Sequence, residues 1–203
     1  MSKKPLIVFE GVEGSGKTHH INKVANYLTK KKKKFIQIRE PGGSKNSESI
    51  RKLILNNKST FNKYTDLLLY LSARSENIDL IKKNYGKKII LIDRFVDSTF
   101  AYQHYGMGVN IKFIKNINDF LLKGVNIDYT FLNIVTPQNM KKRLLKRSKL
   151  NRYDQFNPSF YKKVQDGFIK IMKKRPNNYM KIDSNLNIID NQNLILNKIK
   201  ELL

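Results

Sequence analysis

The feature that most constrains this chain is a glycine-rich stretch that directly follows a short apolar run. The run LIVF at 6–9 continues into EGVEGSGKTH at 10–19, which contains the spacing G-x-x-x-x-G-K-T. Glycines in such a loop let backbone N–H groups close around an anion, and a helix that begins there adds its positive end. The stretch therefore predicts a loop that holds the phosphates of ATP or GTP.

The side chains of this stretch have separate expected roles. Lys17 can reach the β- and γ-phosphates, and the Thr18 hydroxyl can ligate Mg²⁺. The stretch alone leaves open whether the phosphate passes to water, to a protein switch or to a second small molecule. The residues expected to contact ATP here are Gly11, Val12, Glu13, Gly14, Ser15, Gly16, Lys17 and Thr18.

Five short β-rich runs, at 6–10, 35–40, 88–93, 129–135 and 179–183, alternate with helical stretches. Most are almost continuously apolar, as strands are in a parallel sheet that is covered on both faces. Helical periodicity follows the glycine stretch and recurs at about 61–85, 137–149, 158–175 and 191–203. The pattern predicts an α/β fold with a doubly wound parallel sheet. No linker or repeat divides the chain, so one domain over 1–203 is expected.

Composition limits the classes of protein further. The chain has no cysteine, which excludes disulfides and thiolate metal sites. No apolar run approaches the roughly 20 residues that span a bilayer, and no signal peptide fits before the first strand, so a soluble cytoplasmic enzyme is expected. The net charge of +24 admits a nucleic-acid partner. However, Lys supplies 32 of the 40 basic residues and is spread over every segment, which favours a compositional bias and no nucleic-acid partner.

The predicted strand at 88–93 ends in an acidic residue, Asp93, after the apolar run IILI, just as the first predicted strand ends in Glu10. Such a carboxylate resembles that of a Walker-B strand, which holds Mg²⁺ directly or through water. An aspartate that caps a turn is the alternative. Arg94 would face the same phosphates. The sequence lacks the N-K-x-D of GTPases and the L-S-G-G-Q of transporter ATPases, so a small kinase with an acceptor site is the class that remains.

Three segments could build that acceptor site. Arg39 precedes a Pro-Gly-Gly turn after the second predicted strand, where an anion could bind over the crevice. Arg74 falls on the apolar stripe of the helix at 61–85, and a charge on a buried face needs a partner. The partner is either a structural ion pair or a ligand, with Tyr70 one turn away as a stacking surface. Small polar groups and an aromatic that could read a base or sugar, or merely start a helix, are Ser98, Thr99, Tyr102 and Gln103.

A basic segment near the C-terminal third carries Arg143, Arg147 and Arg152. The amphipathic pattern breaks near Ser148, and the arginines continue into a polar loop. A mobile lid over about 143–157, which brings arginine to the transferred phosphoryl group, is the functional interpretation. A solvated basic helix is the alternative.

These motifs together resemble those of bacterial-type thymidylate kinases. The order is G-x-E-G-x-G-K-T, R-E-P-G-G, L-x-A-R, D-R-x-x-x-S-T-x-A-Y-Q and then an arginine-bearing lid. The resemblance covers essentially the whole chain. It implies a P-loop nucleoside-monophosphate-kinase fold, a homodimer, and phosphorylation of dTMP to dTDP by ATP with Mg²⁺, on the route to dTTP.

The resemblance also implies how the acceptor is held. Arg39 and Arg94 would bind the dTMP phosphate, and Glu13 would position the 3′-hydroxyl of the sugar. Tyr102 would lie beneath the sugar and disfavour a ribose 2′-hydroxyl. The base contacts would come from Tyr70, Arg74, Thr99 and Gln103, with Tyr70 replacing the usual Phe as the stacking ring and Arg74 donating to thymine O4. Ser98 is also expected to bind dTMP.

The groups expected to act in catalysis are Lys17, Asp93, Arg94, Arg147 and Arg152, with Thr18 and Asp93 at the metal and Arg143 at ATP. No basic residue lies between Glu13 and Lys17, so the lid would supply the charge that some family members place in the glycine loop. The departures from the family pattern, Phe95, Ser44 and the sequence NRYD of the lid, leave the lid contacts open. The bond before Pro41 is often cis in this family. A kinase with another acceptor and an ATP-dependent nucleic-acid-binding protein remain the alternatives.

Overall fold

The computed structural model describes residues 3–148 and 150–203. Its five strands are β1 (Leu6–Glu10), β2 (Phe35–Arg39), β3 (Ile89–Asp93), β4 (Tyr129–Ile134) and β5 (Tyr179–Asp183). They form one parallel sheet in the order β2-β3-β1-β4-β5. The predicted α/β fold is confirmed, and each predicted strand end was right to within one residue.

The helices are α1 (Lys17–Lys30), α2 (Lys45–Leu55), α3 (Lys63–Asn84), α4 (Val96–Thr99), α5 (Ile111–Leu121), α6 (Pro137–Leu145), α7 (Pro158–Lys174) and α8 (Ile188–Leu202). A π-helix at Phe100–Gly106 continues α4 without a break, and 3₁₀ turns lie at Arg152–Gln155 and Pro176–Asn178. The sequence did not predict α2 and α5. The helix predicted at 137–149 was too long, because Leu145 is already 73% exposed and no buried residue extends the apolar stripe beyond Leu144. Lys149 lies outside the described residues.

Helices cover both faces of the sheet, which explains the apolar strands. Ile7 and Phe9 of β1 belong to a core shared with α1 and α8, whereas Leu6 and Val8 belong to a core shared with α3. Successive side chains of a strand point to opposite faces, so a doubly covered strand is apolar at most of its positions. Among the described residues, no helix is both long and apolar enough to cross a membrane.

Charged residues collect where the strands end. Glu10, Arg39 and Asp93 are the last residues of β1, β2 and β3, and parallel strands end at the same edge of the sheet. β1 has β3 on one side and β4 on the other, so the chain leaves it at a switch in strand order. Ligands of open α/β sheets bind in the crevice at such a point.

Candidate active site

The glycine loop lies between β1 and α1, as its spacing predicts. Its φ angles are 137° at Gly11, 69° at Gly14 and 86° at Gly16, a region that side chains rarely adopt. A Cβ at Gly11 would also lie 2.2 Å from the carbonyl oxygen of Asn133 in β4. Gly16 is the N-cap of α1, so the loop closes on the positive end of a helix of 14 residues. This backbone is shaped to bind phosphate.

Lys17 is buried within the loop. Its Nζ donates to the carbonyl oxygens of Gly11 and Val12, at 2.8 Å each. Burial, together with the nearby charge of Arg94, lowers the pKa of Lys17 to about 7. A phosphate anion in the loop would favour the charged form, because an opposite charge at short range raises the pKa of an amine.

Thr18 and Asp93 meet at the edge of the loop. The Thr18 hydroxyl donates to Oδ2 of Asp93 at 2.9 Å, although 75 residues separate them in the chain. In residues 3–148 and 150–203, no group of three or more His, Cys, Asp or Glu side chains could hold a metal. One hydroxyl and one carboxylate fit Mg²⁺, which is usually bound through one or two protein oxygens, substrate phosphates and water.

Arg94 joins the glycine loop to the helix that follows β3. Its guanidinium donates to Glu13 and to the carbonyl oxygen of Gly11, at 2.8 Å each, and its φ is 66°. Tyr102 also donates its hydroxyl to Glu13. Burial opposes the charge of Glu13, but Arg94 and Lys17 hold its pKa below the usual value. The result is an ionised carboxylate and a guanidinium fixed beside the loop.

The sequence analysis missed a role for Glu10, which is fully buried at the end of β1. It accepts hydrogen bonds from the backbone N–H of Phe95 at 2.8 Å and of Ser98 at 3.1 Å, and from the Ser98 hydroxyl. Burial, reinforced by Asp97, raises the pKa of Glu10 to about 7. Glu10 therefore anchors the start of α4, immediately after Arg94. A charged residue ending an otherwise apolar strand was the available signal.

Two connected cavities lie at this edge of the sheet. The outer one has a volume of about 420 Å³ and the inner cleft about 30 Å³, and both are lined by Glu13, Glu40, Tyr70 and Arg94. The outer cavity is also lined by Gly14, Gly16, Lys17, Thr18, Arg39, Arg51, Asp93, Arg143 and Arg147. The inner cleft is also lined by Arg74, Phe95, Ser98, Thr99, Tyr102 and Gln103.

Arg74 satisfies both alternatives that the sequence left open, since it is ion-paired and lines the inner cleft. Its side chain is 2% exposed, and Nε donates to Glu40 at 2.8 Å while Nη1 donates to Asn118 at 2.6 Å. In the part of the chain that the structure describes, Nη2 makes no hydrogen bond to protein. The pattern predicted a partner for this buried charge, but not which residue it would be.

The wall of the inner cleft includes one buried polar atom that lacks a protein partner among the described residues, and one amide that is already paired. The Thr99 hydroxyl is buried and makes no hydrogen bond among the described residues. Gln103 lies one turn later and donates its Nε2 to Asp66 at 3.0 Å. Buried polar groups are normally paired, so the Thr99 hydroxyl could hydrogen-bond a molecule in the cleft.

Arg39 and Arg51 lie at the mouth of the outer cavity. Arg39 is half-exposed and pairs with Glu48 at 2.9 Å. The sequence analysis left Arg51 outside every motif, yet it donates to the carbonyl oxygen of Pro41 at 2.6 Å and lines the same cavity. The peptide bond before Pro41 is cis. Arg51 lies on a short helix with few buried residues, which gave no sequence signal.

The three arginines of the proposed lid have different environments. Arg143 donates to the carbonyl oxygen of Gly14 at 2.8 Å, and Arg147 pairs with Asp154 at 2.6 Å; both line the outer cavity. Arg152 pairs with Asp66 of α3 and lines neither cavity. The structure therefore brings Arg143 to the glycine loop and Arg147 to the cavity that the loop lines, and it directs Arg152 towards α3.

These features define a class of protein. A glycine loop, a strand-end carboxylate bonded to its threonine and a second cleft on the same cavity are the parts of a P-loop kinase with an acceptor pocket.

Comparison with known proteins narrows the class, and the chain belongs to the thymidylate kinase family. The family model described as thymidylate kinase matches residues 9–195. The chain is 34% identical over 203 residues to the thymidylate kinase of Thermoanaerobacter sp. (strain X514), covering 99% of this chain and 100% of that protein. It is 37% identical to that of Clostridium novyi (strain NT), covering 91% and 93%.

A solved structure gives the same result. The crystal structure of thymidylate kinase from Ehrlichia chaffeensis matches with a TM-score of 0.78 at 30% identity, covering 98% of this chain and 99% of that one.

Proposed function

We propose that this protein transfers the γ-phosphoryl group of ATP to dTMP, giving dTDP, in the synthesis of dTTP. The observation that best supports the proposal is that the two cavities share lining residues. Glu13 and Arg94 line both the cavity of the glycine loop and the inner cleft. A donor phosphate in the loop and an acceptor nucleotide in the cleft would meet at these two residues.

The chemistry of the inner cleft suits thymine. Arg74 carries only donors, so it complements the O4 acceptor of thymine and opposes the 4-amino donor of cytosine. The Thr99 hydroxyl and the Gln103 amide supply further polar contacts on the same wall. A site built to hydrogen-bond one edge can reject a mismatched edge by a factor on the order of 10⁴. Ser98 and the Tyr70 ring complete the proposed base pocket.

The sugar and phosphate would lie at the junction. We assign the 3′-hydroxyl to the Glu13 carboxylate and the face of the sugar to Tyr102, which donates to Glu13. Arg94 and Arg39 would bind the acceptor phosphate, which is already ionised, so the reaction needs no general base. The chain's task is to align the two nucleotides and neutralise charge.

The donor side uses the loop and the lid. Lys17 would leave the loop carbonyl oxygens for the β- and γ-phosphates, while Arg143 and Arg147, which line the same cavity, would face them from the lid. Arg152 would need to leave Asp66 to act there. Thr18 and Asp93 would hold Mg²⁺, which when bound neutralises charge on the phosphate oxygens. We also propose that residues at about 143–157 form a mobile lid over the phosphates.

We also propose a homodimer that works in the cytoplasm. Support for the dimer comes from large apolar side chains that are 41–50% exposed on the adjoining helices α2, α3 and α5: Leu53, Tyr64, Leu68 and Phe113. Clusters of exposed apolar residues mark association surfaces.

A substrate panel tests the reaction. ADP release would be measured with dTMP, dUMP, dCMP, dGMP and thymidine as acceptors, and we expect the highest kcat/KM with dTMP. Faster turnover of dCMP or of thymidine would instead support the alternative of a kinase for another acceptor.

The net charge motivates a separate test of the nucleic-acid alternative. ATP hydrolysis that DNA or RNA stimulates, and that dTMP leaves unchanged, would contradict the kinase proposal. We expect hydrolysis without acceptor to be slow and insensitive to DNA, since the lysines are dispersed over the chain.

A further inference from the structure

Asp66 of α3 is a buried carboxylate that the proposed reaction does not use. It is 1% exposed and receives three side chains from two other parts of the chain. Gln103 donates to its Oδ2 at 3.0 Å and Tyr153 donates to the same oxygen at 2.6 Å, while Arg152 pairs with Oδ1. It therefore connects the wall of the inner cleft with the segment around 152–155.

The contacts of Asp66 fix which way the amide of Gln103 faces. A carboxylate only accepts hydrogen bonds, so the group facing it must be the NH₂ of Gln103. The second neighbour, Tyr153, gives its proton to Asp66 and lies 3.4 Å from the same Nε2. Burial raises the pKa of Tyr153 well above its usual value, which keeps this hydroxyl a donor to Asp66. Both neighbours thus select the same orientation.

The carbonyl oxygen of the amide, Oε1, can then face the inner cleft. Gln103 lines the inner cleft, and within residues 3–148 and 150–203 its Oε1 accepts no hydrogen bond from protein. A carbonyl oxygen there complements the N3–H of thymine. Cytosine has an unprotonated N3, which would place two acceptors against each other.

We propose that Asp66 is a specificity-determining positioning residue, because it holds the Gln103 amide with Oε1 towards the base. The inference rests on the proposed function, since it concerns the choice between pyrimidine monophosphates. It is separate from the contact of Arg74 with the 4-position, because it acts at N3. Asp66 itself touches no substrate.

The substitution Asp66→Asn tests the proposal. An asparagine can offer either its oxygen or its NH₂, so Gln103 becomes free to turn and to present Nε2 to the cleft. We expect the ratio of kcat/KM for dTMP over dCMP to fall by roughly tenfold or more, the scale for one buried hydrogen bond. Preference for dTMP should persist, since Arg74 still opposes the 4-amino group.

Tyr153→Phe is the matched control. It removes the other neighbour of Gln103 but keeps the carboxylate, so the dTMP-to-dCMP ratio should stay within about twofold of wild type. An unchanged ratio in folded Asp66→Asn would overturn the proposal, and so would an equal fall in Tyr153→Phe. Failure of the wild-type protein to phosphorylate dTMP contradicts the proposed function, whereas an unchanged ratio in Asp66→Asn contradicts only the role of Asp66.

A measurement on the wild-type chain keeps the proposal testable if Asp66→Asn does not fold. With ¹⁵N-labelled glutamine, the NH₂ signal of Gln103 can be assigned by its loss in Gln103→Met. We expect its protons to be protected from exchange with water, both alone and with dTMP, because the buried Nε2 donates to Asp66 and to the Tyr153 hydroxyl. Rapid exchange of these protons would overturn the assigned orientation.

Discussion

Lys17 has a lowered pKa in the protein without ligand, and a bound anion would change it. Its pKa is lowered to about 7 from 10.5, so between those values the folded chain binds fewer protons than the unfolded chain. The contribution of this group to stability therefore rises with pH across that window. A bound phosphate reverses the shift, because it favours the ammonium form.

We therefore expect ATP binding to take up protons. At about pH 8 the free lysine is mostly neutral and the bound lysine is charged, so uptake should approach one proton per ATP and be much smaller at about pH 6. Calorimetry in buffers with different protonation enthalpies measures this number. Lys17→Arg is the control, since arginine stays charged throughout. Equal uptake in that variant, or none in wild type at pH 8, would contradict the assignment.

Arg94 is the residue on which the proposed reaction depends most. It follows the strand-end Asp93, and its guanidinium donates to Glu13 and to the carbonyl oxygen of Gly11 in the glycine loop. We expect Arg94→Ala to lower kcat by roughly 10³-fold or more, the scale for loss of a charge-stabilising arginine in phosphoryl transfer. Arg94→Lys retains the charge without the planar fork and should recover only part of the rate. A near-normal kcat in Arg94→Ala would remove it from the reaction.

At the scale of an element, α3 is fastened to the turn after β2 by a buried ion pair. Arg74 and Glu40 are 2% and 4% exposed, and burial raises the pKa of Glu40 despite its partner. Arg74→Ala would leave Glu40 buried without its guanidinium. We expect the free energy of unfolding to fall by about 3–5 kcal/mol, as for other broken buried pairs.

Urea denaturation measures this loss, and a double variant identifies its cause. Arg74→Ala combined with Glu40→Gln removes the uncompensated charge and should recover part of the lost stability. A loss below about 1 kcal/mol in the single variant would mean that Glu40 finds another partner or is protonated.

Whether a helix or strand could be predicted depended on the hydrophobic pattern of its own residues. β1 and β3 were the clearest strands, because burial on both faces makes them almost continuously apolar. α2 was missed because only Ser47 and Ile54 are buried, which leaves little periodicity. α5 was missed although it is amphipathic, since its β-branched isoleucines have low helix propensity.

The same limit applies to the site. Motifs with fixed spacing predicted Lys17, Thr18 and Asp93, and the structure places these three around the glycine loop. The residues that orient others, Glu10, Glu40 and Asp66, were missed. Each acts on a residue more than thirty positions away in the chain, and a single sequence carries no signal for which distant groups will meet.

At the scale of the whole molecule, the remaining question is what covers the exposed apolar side chains of α2, α3 and α5. Tyr64 and Leu68 lie one turn apart on α3 and are 50% and 48% exposed. α3 also carries Tyr70 and Arg74 on its inner side. A partner chain packed on the outer side would therefore support the helix that forms one wall of the acceptor cleft.

We expect the wild-type protein to sediment with twice the mass of the 23.8 kDa chain. Leu68→Glu places a charge in the proposed interface and should yield monomers, because an unpaired buried charge is strongly unfavourable. Leu194→Glu is the control, since Leu194 is 53% exposed on α8, across the sheet from α3. It should leave the mass unchanged. If Leu68→Glu remains dimeric, or only Leu194→Glu dissociates, then the interface lies elsewhere and α3 forms the acceptor wall without support from a partner.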